Sequence, residues 1–327
     1  MHELGRVLLT GATGFVGRHL GPALEAAGVT VRRTSRTAAR ARREQPDCEW
    51  AQLDPRDADS IRAALSGCDS ACYLLHGVGS TPDYPAEEAR AAEWFAQAAR
   101  RANLRRLVYL GGVAPRGAVS RHLHSRLQTG RILRESGVPS VELRASMIIG
   151  HGSSSFEMVR NLATRLPVLP QPDWLLYRSC PVAIDDVVVA LVATLLLPEL
   201  DDDWYDLPGP EQLSHRNVVL RVASLLGQNL RMLPVPDLDL RPILRRLGPL
   251  TGIAPDLAAE LLDGLRSDLV PEPGHSIWPH LPWARRRGFD AAVHDALLDR
   301  SCQQSPSPRT RDRLIRAAQD VRRRVHP

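Results

Sequence analysis

The sequence predicts an α/β fold, a Rossmann-type doubly wound parallel sheet with a smaller, mostly helical C-terminal lobe. Three observations carry this. Short apolar runs alternate with helical stretches through the first 150 residues, and a glycine-rich turn joins the first run to the first helix. After Gly150 the pattern loosens into helices broken by proline and glycine.

The rhythm begins with a strand over Arg6 to Thr10, a helix over Phe15 to Ala27 and a strand over Thr30 to Arg33. Strand-like runs follow at Glu49 to Leu53, Ala71 to Leu75, Leu107 to Leu110 and Ser140 to Ile149. Helical patterns lie between them at Ile61 to Leu65, Ala86 to Ala102 and Arg121 to Glu135. Beyond a Ser-rich turn come a helix over Phe156 to Arg165 and a Pro-rich connection from Pro167 to Pro172. Val182 to Ile184 then leads into Asp185-Asp186, expected to cap a helix running to Leu197. From Pro208 onward the chain reads as mostly helical, until Ser305-Pro-Ser-Pro marks a linker before a basic end. The expected parts are a core over 1–150, a cap lobe with late sheet elements over 151–304 and a basic tail over 305–327.

Composition narrows the function classes. The chain has 43% hydrophobic and 24% charged residues, the usage of a compact body rather than a disordered one. Between Ser301 and Pro327, seven arginines and two aspartates account for the whole formal charge of +5, and the first 300 residues hold 35 basic and 35 acidic residues. A neutral body argues against nucleic-acid binding. No lysine occurs anywhere, which excludes chemistry that needs a lysine amine. The five cysteines (48, 68, 72, 180, 302) include no C-x-x-C, so neither a disulfide framework nor a zinc site is expected. Met1 runs straight into an apolar strand without a signal-peptide pattern, and the apolar run Val187 to Leu197 is too short for a bilayer. A cytoplasmic protein is the resulting expectation.

The turn Gly11-Ala-Thr13-Gly14-Phe15-Val16-Gly17 lies where strand becomes helix. Gly11 permits the tight turn, Gly14 lets backbone approach a pyrophosphate, and Gly17 allows close helix-strand packing, while the helix N-terminus offers free N–H groups to phosphate. These six residues other than Ala12 are therefore expected to hold NAD or NADP. An acid normally follows about 20 residues later to bind the ribose hydroxyl of NAD. Here the chain reads Val31-Arg-Arg33-Thr-Ser-Arg36, and Arg33 with Arg36 favours NADP, with NAD as the alternative. Leu53 and Asp54 lie where a side chain reaches adenine, although Asp54 and Asp57 also suit a helix cap. Leu75, His76 and Gly77 fall at the C-terminal edge of the fourth strand, where a dinucleotide binds.

With the Gly11 to Gly17 turn, Leu53-Asp54, Tyr109-Leu-Gly-Gly112, Leu143-Arg-Ala-Ser-Met-Ile-Ile-Gly150 and Val182-Ala-Ile-Asp-Asp186 in place, the chain resembles the atypical short-chain dehydrogenase/reductases. More narrowly, it is similar to the NAD(P)H-binding, NmrA-like group and to the accessory dehydrogenase-fold subunit of respiratory complex I. Catalytic members of the wider superfamily use a serine after the fifth strand and a Tyr-x-x-x-Lys on the next helix. This chain has Gly111-Gly112 and His122-Leu-His-Ser-Arg126 there. The resemblance then leaves His122 to exchange a proton near neutral pH and Arg126 to bind the ribose, the two candidate catalytic residues. No metal role is expected of His122 and His124, because residues two apart on a helix do not face one another.

Two functions remain open at this point. One is an NADPH-dependent reductase of a small apolar substrate, with Phe156, Met158, Trp174 and Trp278 offered as cleft residues. The other is a cofactor-holding sensor or assembly protein without turnover, suggested by the replaced catalytic residues. Arg144 either pairs with a buried carboxylate or faces the cleft. In the tail, Leu314, Ala318, Val321 and Val325 form one stripe beside the arginines, a pattern for an anionic membrane or a partner protein. Loss of residues 304–327 is expected to leave cofactor binding intact.

Overall fold

The computed structural model describes residues 5–77, 81–197, 200–236, 252–299 and 307–325. Along the core run β1 (Arg6–Leu9), α1 (Phe15–Ala26), β2 (Thr30–Ser35), α2 (Ala38–Glu44), β3 (Glu49–Gln52), α3 (Ala58–Leu65), β4 (Ser70–Tyr73), α4 (Tyr84–Arg101), β5 (Arg106–Gly112), α5 (Arg121–Arg134) and β6 (Ser140–Ala145). The later elements are β7 (Ile148–Ile149), α6 (Ser154–Arg165), β8 (Val168–Gln171), β9 (Arg178–Ser179), β10 (Val182–Ala183), α7 (Ile184–Leu196), β11 (Trp204–Asp206), β12 (Leu213–Ser214), α8 (His215–Leu225), β13 (Arg231–Pro234), α9 (Pro255–Gly264), α10 (Phe289–Leu298) and α11 (Pro308–Val325).

The main sheet has the order β3-β2-β1-β4-β5-β6-β11, and all its pairs are parallel. Its central strands β1, β4 and β5 bury residues on both faces because helices cover both. Within β1, Val7 and Leu9 belong to the layer that holds Leu20 of α1 and Leu191 of α7, while Leu8 belongs to the layer with Ile61 of α3 and Phe95 of α4. Chain order reverses between β1 and β4, which opens a crevice at their C-terminal ends. Thr10 stitches that crevice: its Oγ1 donates to the Cys72 carbonyl at 3.2 Å and accepts the Leu74 N–H at 2.8 Å.

Two elements depart from the sequence reading of the core. Helix α2 follows β2 where no element was expected. Strand β11, directly after Asp201, Asp202 and Asp203, completes the sheet beside β6 with Trp204 opposite Glu142. Arg144 proves to be the partner of a buried carboxylate. It reaches Glu142 through Nε at 3.0 Å and through its Nη2 at 3.2 Å, and its guanidinium stacks on Trp204 at 4.0 Å.

The cap gathers α6, α8, α9 and α10 with the small pairs β7·β10, β8·β13 and β9·β12 around its own apolar cluster, which includes Phe156, Leu162, Val222 and Phe289. Helix α7 belongs instead to the core layer, so the apolar run Val187 to Leu197 serves as a central packing helix. No described helix is long and apolar enough to cross a membrane. Asp185 and Asp186 do not cap α7, whose N-cap is Ala183. Asp185 pairs with Arg313 at 2.8 Å, and Asp186 accepts the Arg287 N–H at 2.9 Å, so both tie later chain to the core.

The tail corrects another expectation. Helix α11 packs against α1 and α7, and Leu314, Ala318 and Val321 are buried in the core layer, so this stripe is not presented to a membrane. The apolar stripe is present, and the partner that covers it is the chain's own core. The Val325 side chain, Cys302 and the start of the Ser305 linker lie outside the described residues. Cys48, Cys68, Cys72 and Cys180 are free thiols.

Candidate functional site

A cleft of about 600 Å³ opens at the β1–β4 crevice and runs beneath the cap. Its floor is the glycine turn. Gly11 has φ of +61°, a conformation side chains rarely adopt, and a Cβ there would meet the Leu74 carbonyl at 3.0 Å. A Cβ on Gly17 would lie 2.3 Å from the Gly11 carbonyl oxygen, so α1 can approach β1 this closely only without a side chain. Gly14 is the N-cap of α1, and neither a capping side chain nor an acid occupies the first turn. The first amides of the helix, around Phe15 and Val16, are thus left for an anion. Thr13 is exposed, with its carbonyl accepting from Arg18 at 3.1 Å. The cradle and its open amides fit a dinucleotide pyrophosphate.

At the end of β2 the two arginines separate. Arg33 is 5% exposed and makes two bonds to Glu25 of α1, at 2.7 and 2.9 Å. That pairing corrects its expected role, because the guanidinium faces α1 rather than a ribose. Arg36 follows the strand, is exposed, and has no carboxylate partner among the described residues. It sits beside the Ser35 hydroxyl, which accepts the Thr37 N–H at 3.1 Å. Leu53 is a core residue, 2% exposed, and Leu75 packs on the same layer, so neither contributes a side chain to the cleft. Asp54 orders its own turn by accepting the Arg56 N–H at 3.0 Å.

The far end of the crevice brings together His76, Gly77, His122 and Arg126, all lining the cleft. Arg126 is buried, donates to the Leu110 carbonyl, and lies 5.2 Å from the Tyr109 ring centroid. His76 is exposed and lines the cleft, while desolvation by the surrounding protein, then the Arg126 charge, pushes it down to about 4. Burial, then Arg126, then His76 push His122 down to about 3. Burial and the neighbouring Arg126 and His76 disfavour the imidazolium, which runs against the expected proton exchange near neutral pH. Its Nδ1 is buried without a partner, leaving Nε2 for the cleft.

Sequence reasoning missed Glu88. Its carboxylate accepts from the Gly77 N–H and from the Ser125 hydroxyl, which ties the loop after β4 to α5 and sets His76 against Arg126. A lone glutamate in an amphipathic helix carries no signal of this. The glycines at the serine position also have a spatial cause: a Cβ on Gly111 would meet Glu142 Oε1 at 2.7 Å, and one on Gly112 would meet Leu123 at 3.2 Å.

The cap supplies an apolar wall that includes Met158, Leu162, Trp174, Val219 and Leu261. Of the aromatic and sulfur residues expected there, Met158 and Trp174 line the cleft. Phe156 is cap core, and Trp278 lies in the core layer, with Nε1 donating to the Pro208 carbonyl at 2.7 Å. Arg126 is the one cation, and no carboxylate lines the cleft among the described residues.

Residues 11–148 match the family described as NAD(P)H-binding. The chain is 30% identical over 233 residues to the (4-alkanoyl-5-oxo-2,5-dihydrofuran-3-yl)methyl phosphate reductase of Streptomyces griseus, across 69% of this chain and 75% of that one. Triphenylmethane reductase of Citrobacter sp., solved in complex with NADP(H), shares the fold at a TM-score of 0.68 and 15% identity, over 89% of this chain and 99% of that one. WbmH of Bordetella bronchiseptica, in complex with NAD+, does so at a TM-score of 0.66 and 16% identity, over 92% and 99%. These relatives give no support to the narrower resemblance to the complex I subunit. The glycine cradle at the sheet's switch point, the match over residues 11–148 and the Streptomyces relative together show that the chain belongs to the NAD(P)H-binding family.

Proposed function

We propose that this protein is an NADPH-dependent reductase of a small, largely apolar substrate bearing a carbonyl or a double bond conjugated to one. The observation that carries this reading is the continuity of the cleft, in which the glycine cradle, the His76–His122–Arg126 group and the apolar cap wall enclose one space. The Streptomyces relative is named as a reductase of an unsaturated lactone, which supports the same reaction class.

Each residue then has a task. Gly11, Gly14 and the first amides of α1 hold the pyrophosphate, Arg36 holds the 2′-phosphate, and Arg126 holds the nicotinamide ribose. The nicotinamide, when bound, supplies the hydride. His122, as its neutral Nε2–H tautomer, donates to the substrate oxygen that gains negative charge during transfer, and the proton comes from water. The apolar wall orients the substrate and excludes bulk solvent.

Calorimetry with NADPH and NADH tests the cofactor choice. Wild type is expected to bind NADPH more tightly, and Arg36→Glu should remove that preference, worth about 1.5 to 3 kcal/mol for hydrogen bonds to a charged group. Equal affinity for both cofactors in wild type would refute the assignment. Loss of NADPH absorbance with unsaturated lactones or apolar ketones tests turnover, and binding without any oxidation across such a panel would favour the cofactor-holding alternative.

A further inference from the structure

Glu88 joins the two segments that carry the far end of the cleft. Its carboxylate accepts from the Gly77 N–H and from the hydroxyl of Ser125, a residue 1% exposed that stands next to Arg126 on α5. Two donors on one carboxylate make a strong joint, because charge-assisted bonds are roughly twice as strong as neutral ones. The other end of the loop after β4 is fixed by the glycine cradle. Thr10 Oγ1 accepts the Leu74 N–H at 2.8 Å, and the Leu74 carbonyl oxygen lies 3.0 Å from where a Cβ of Gly11 would stand. Arg126 is fixed from within as well: its own carbonyl accepts the Tyr109 hydroxyl at 3.1 Å, and its guanidinium donates to the Leu110 carbonyl. A continuous run of contacts therefore leads from Gly11 through Leu74, Gly77, Glu88 and Ser125 to Arg126.

We infer that Glu88 is a positioning residue for the nicotinamide half of the cofactor, fixing the spacing of Arg126 and His122 from the glycine cradle by its bonds to Gly77 and Ser125. This deepens the reductase reading and rests on its assignment of Arg126 to the nicotinamide ribose. Glu88 acts through its partners, while Gly77, His122 and Arg126 line the cleft itself. The pyrophosphate half depends on Gly11, Gly14 and the first amides of α1, and the two Glu88 bonds go elsewhere. Loss of the joint therefore leaves the adenosine and pyrophosphate held while the nicotinamide ring gains freedom. Freedom at that end matters for hydride transfer, where a displacement of about 1 Å costs about a hundredfold in rate.

The test uses the full chain and two ligands: NADPH, and ADP, which fills the adenosine and pyrophosphate positions alone. Calorimetry is expected to show NADPH affinity weakened about tenfold in Glu88→Ala and less in Glu88→Gln, whose amide oxygen still accepts one donor. ADP affinity should be unchanged in both, which also shows that the variants are folded. NADPH fluoresces from its dihydronicotinamide ring, so the anisotropy of the bound cofactor should fall in both variants as that ring loosens. Ser125→Ala is expected to reproduce part of the loss and to add nothing in the Glu88→Ala background, as for two ends of one contact. Equal loss of ADP and NADPH affinity would make Glu88 a general structural residue and overturn the inference. So would unchanged NADPH affinity and anisotropy, or losses from Glu88→Ala and Ser125→Ala that simply add. None of these readouts needs turnover, so a wild type that binds NADPH and reduces nothing defeats the reductase reading without touching the role of Glu88.

Discussion

His122 stands three residues before Arg126's neighbour Ser125 on α5, so both its place in the cleft and its charge state follow from one helix turn and the guanidinium beside it. A group held near 3 does not titrate between pH 5 and 8, so turnover should show no inflection from this residue in that range. His122→Phe is expected to lower kcat by about 100- to 1,000-fold, the usual cost of losing one donor to a developing oxyanion, with little change in NADPH affinity. Stability carries the matching sign. The folded value lies below the unfolded 6.5, so the stabilising contribution is full above 6.5 and is lost as pH falls toward 3. Urea titrations at pH 7 and pH 5 should show His122→Phe losing less stability than wild type. At the same scale, Arg33 illustrates what was legible. Period-two alternation puts it on the face of Val31, toward α1, once β2 is known to continue to Ser35. The expected strand ended at Arg33, which made that residue look like a loop arginine.

Helix α1 is the element on which cofactor binding depends, because its N-terminus is the anion site and its first turn is pressed onto β1. The glycine spacing was fully readable, since only glycine tolerates the approach of Gly17 to the Gly11 carbonyl. Gly17→Ala must push the helix off the strand. We expect a loss of about 1 to 3 kcal/mol in stability, as for overpacked cores, and a clear loss of NADPH affinity. Thermal melts and calorimetry on the same sample check this, and unchanged values in both would mean that the helix does not need this contact. By contrast, α7 read as a helix but not as a core element. Its apolar residues cover most of its circumference, and such a helix is placed only by what surrounds it.

At the scale of the whole molecule, the last helix closes the first. Leu314, at 3% exposure, and Val321, at 0%, bury themselves beside α1 and α7, and Arg313 reaches Asp185 at 2.8 Å. Leu314→Ala is expected to cost about 2 to 5 kcal/mol, the range for large-to-small changes in cores, read as a lowered denaturation midpoint. Removing residues 307–327 should destabilise α1 and weaken NADPH binding, contrary to the expectation from sequence that the tail is separable. A truncated protein with wild-type melting and NADPH affinity would restore the separable tail. The arginines at 309, 311, 316, 322, 323 and 324 remain exposed on the outer face.

Local sequence specifies the parallel α/β core, the crevice-facing glycine turn and the replacement of the usual serine, tyrosine and lysine. These depend on local periodicity and on residues whose backbone freedom or chemistry has no substitute. It also put His76 just after β4 and His122 and Arg126 on α5. The assembled fold assigns Arg33 to Glu25, anchors the loop of His76 on Glu88 and makes the tail helix part of the core. Each of these rests on contacts between distant segments. Whether a buried charge is paired, or an amphipathic face covered, is set by what the rest of the fold brings to it, and no periodicity within one segment encodes its partner.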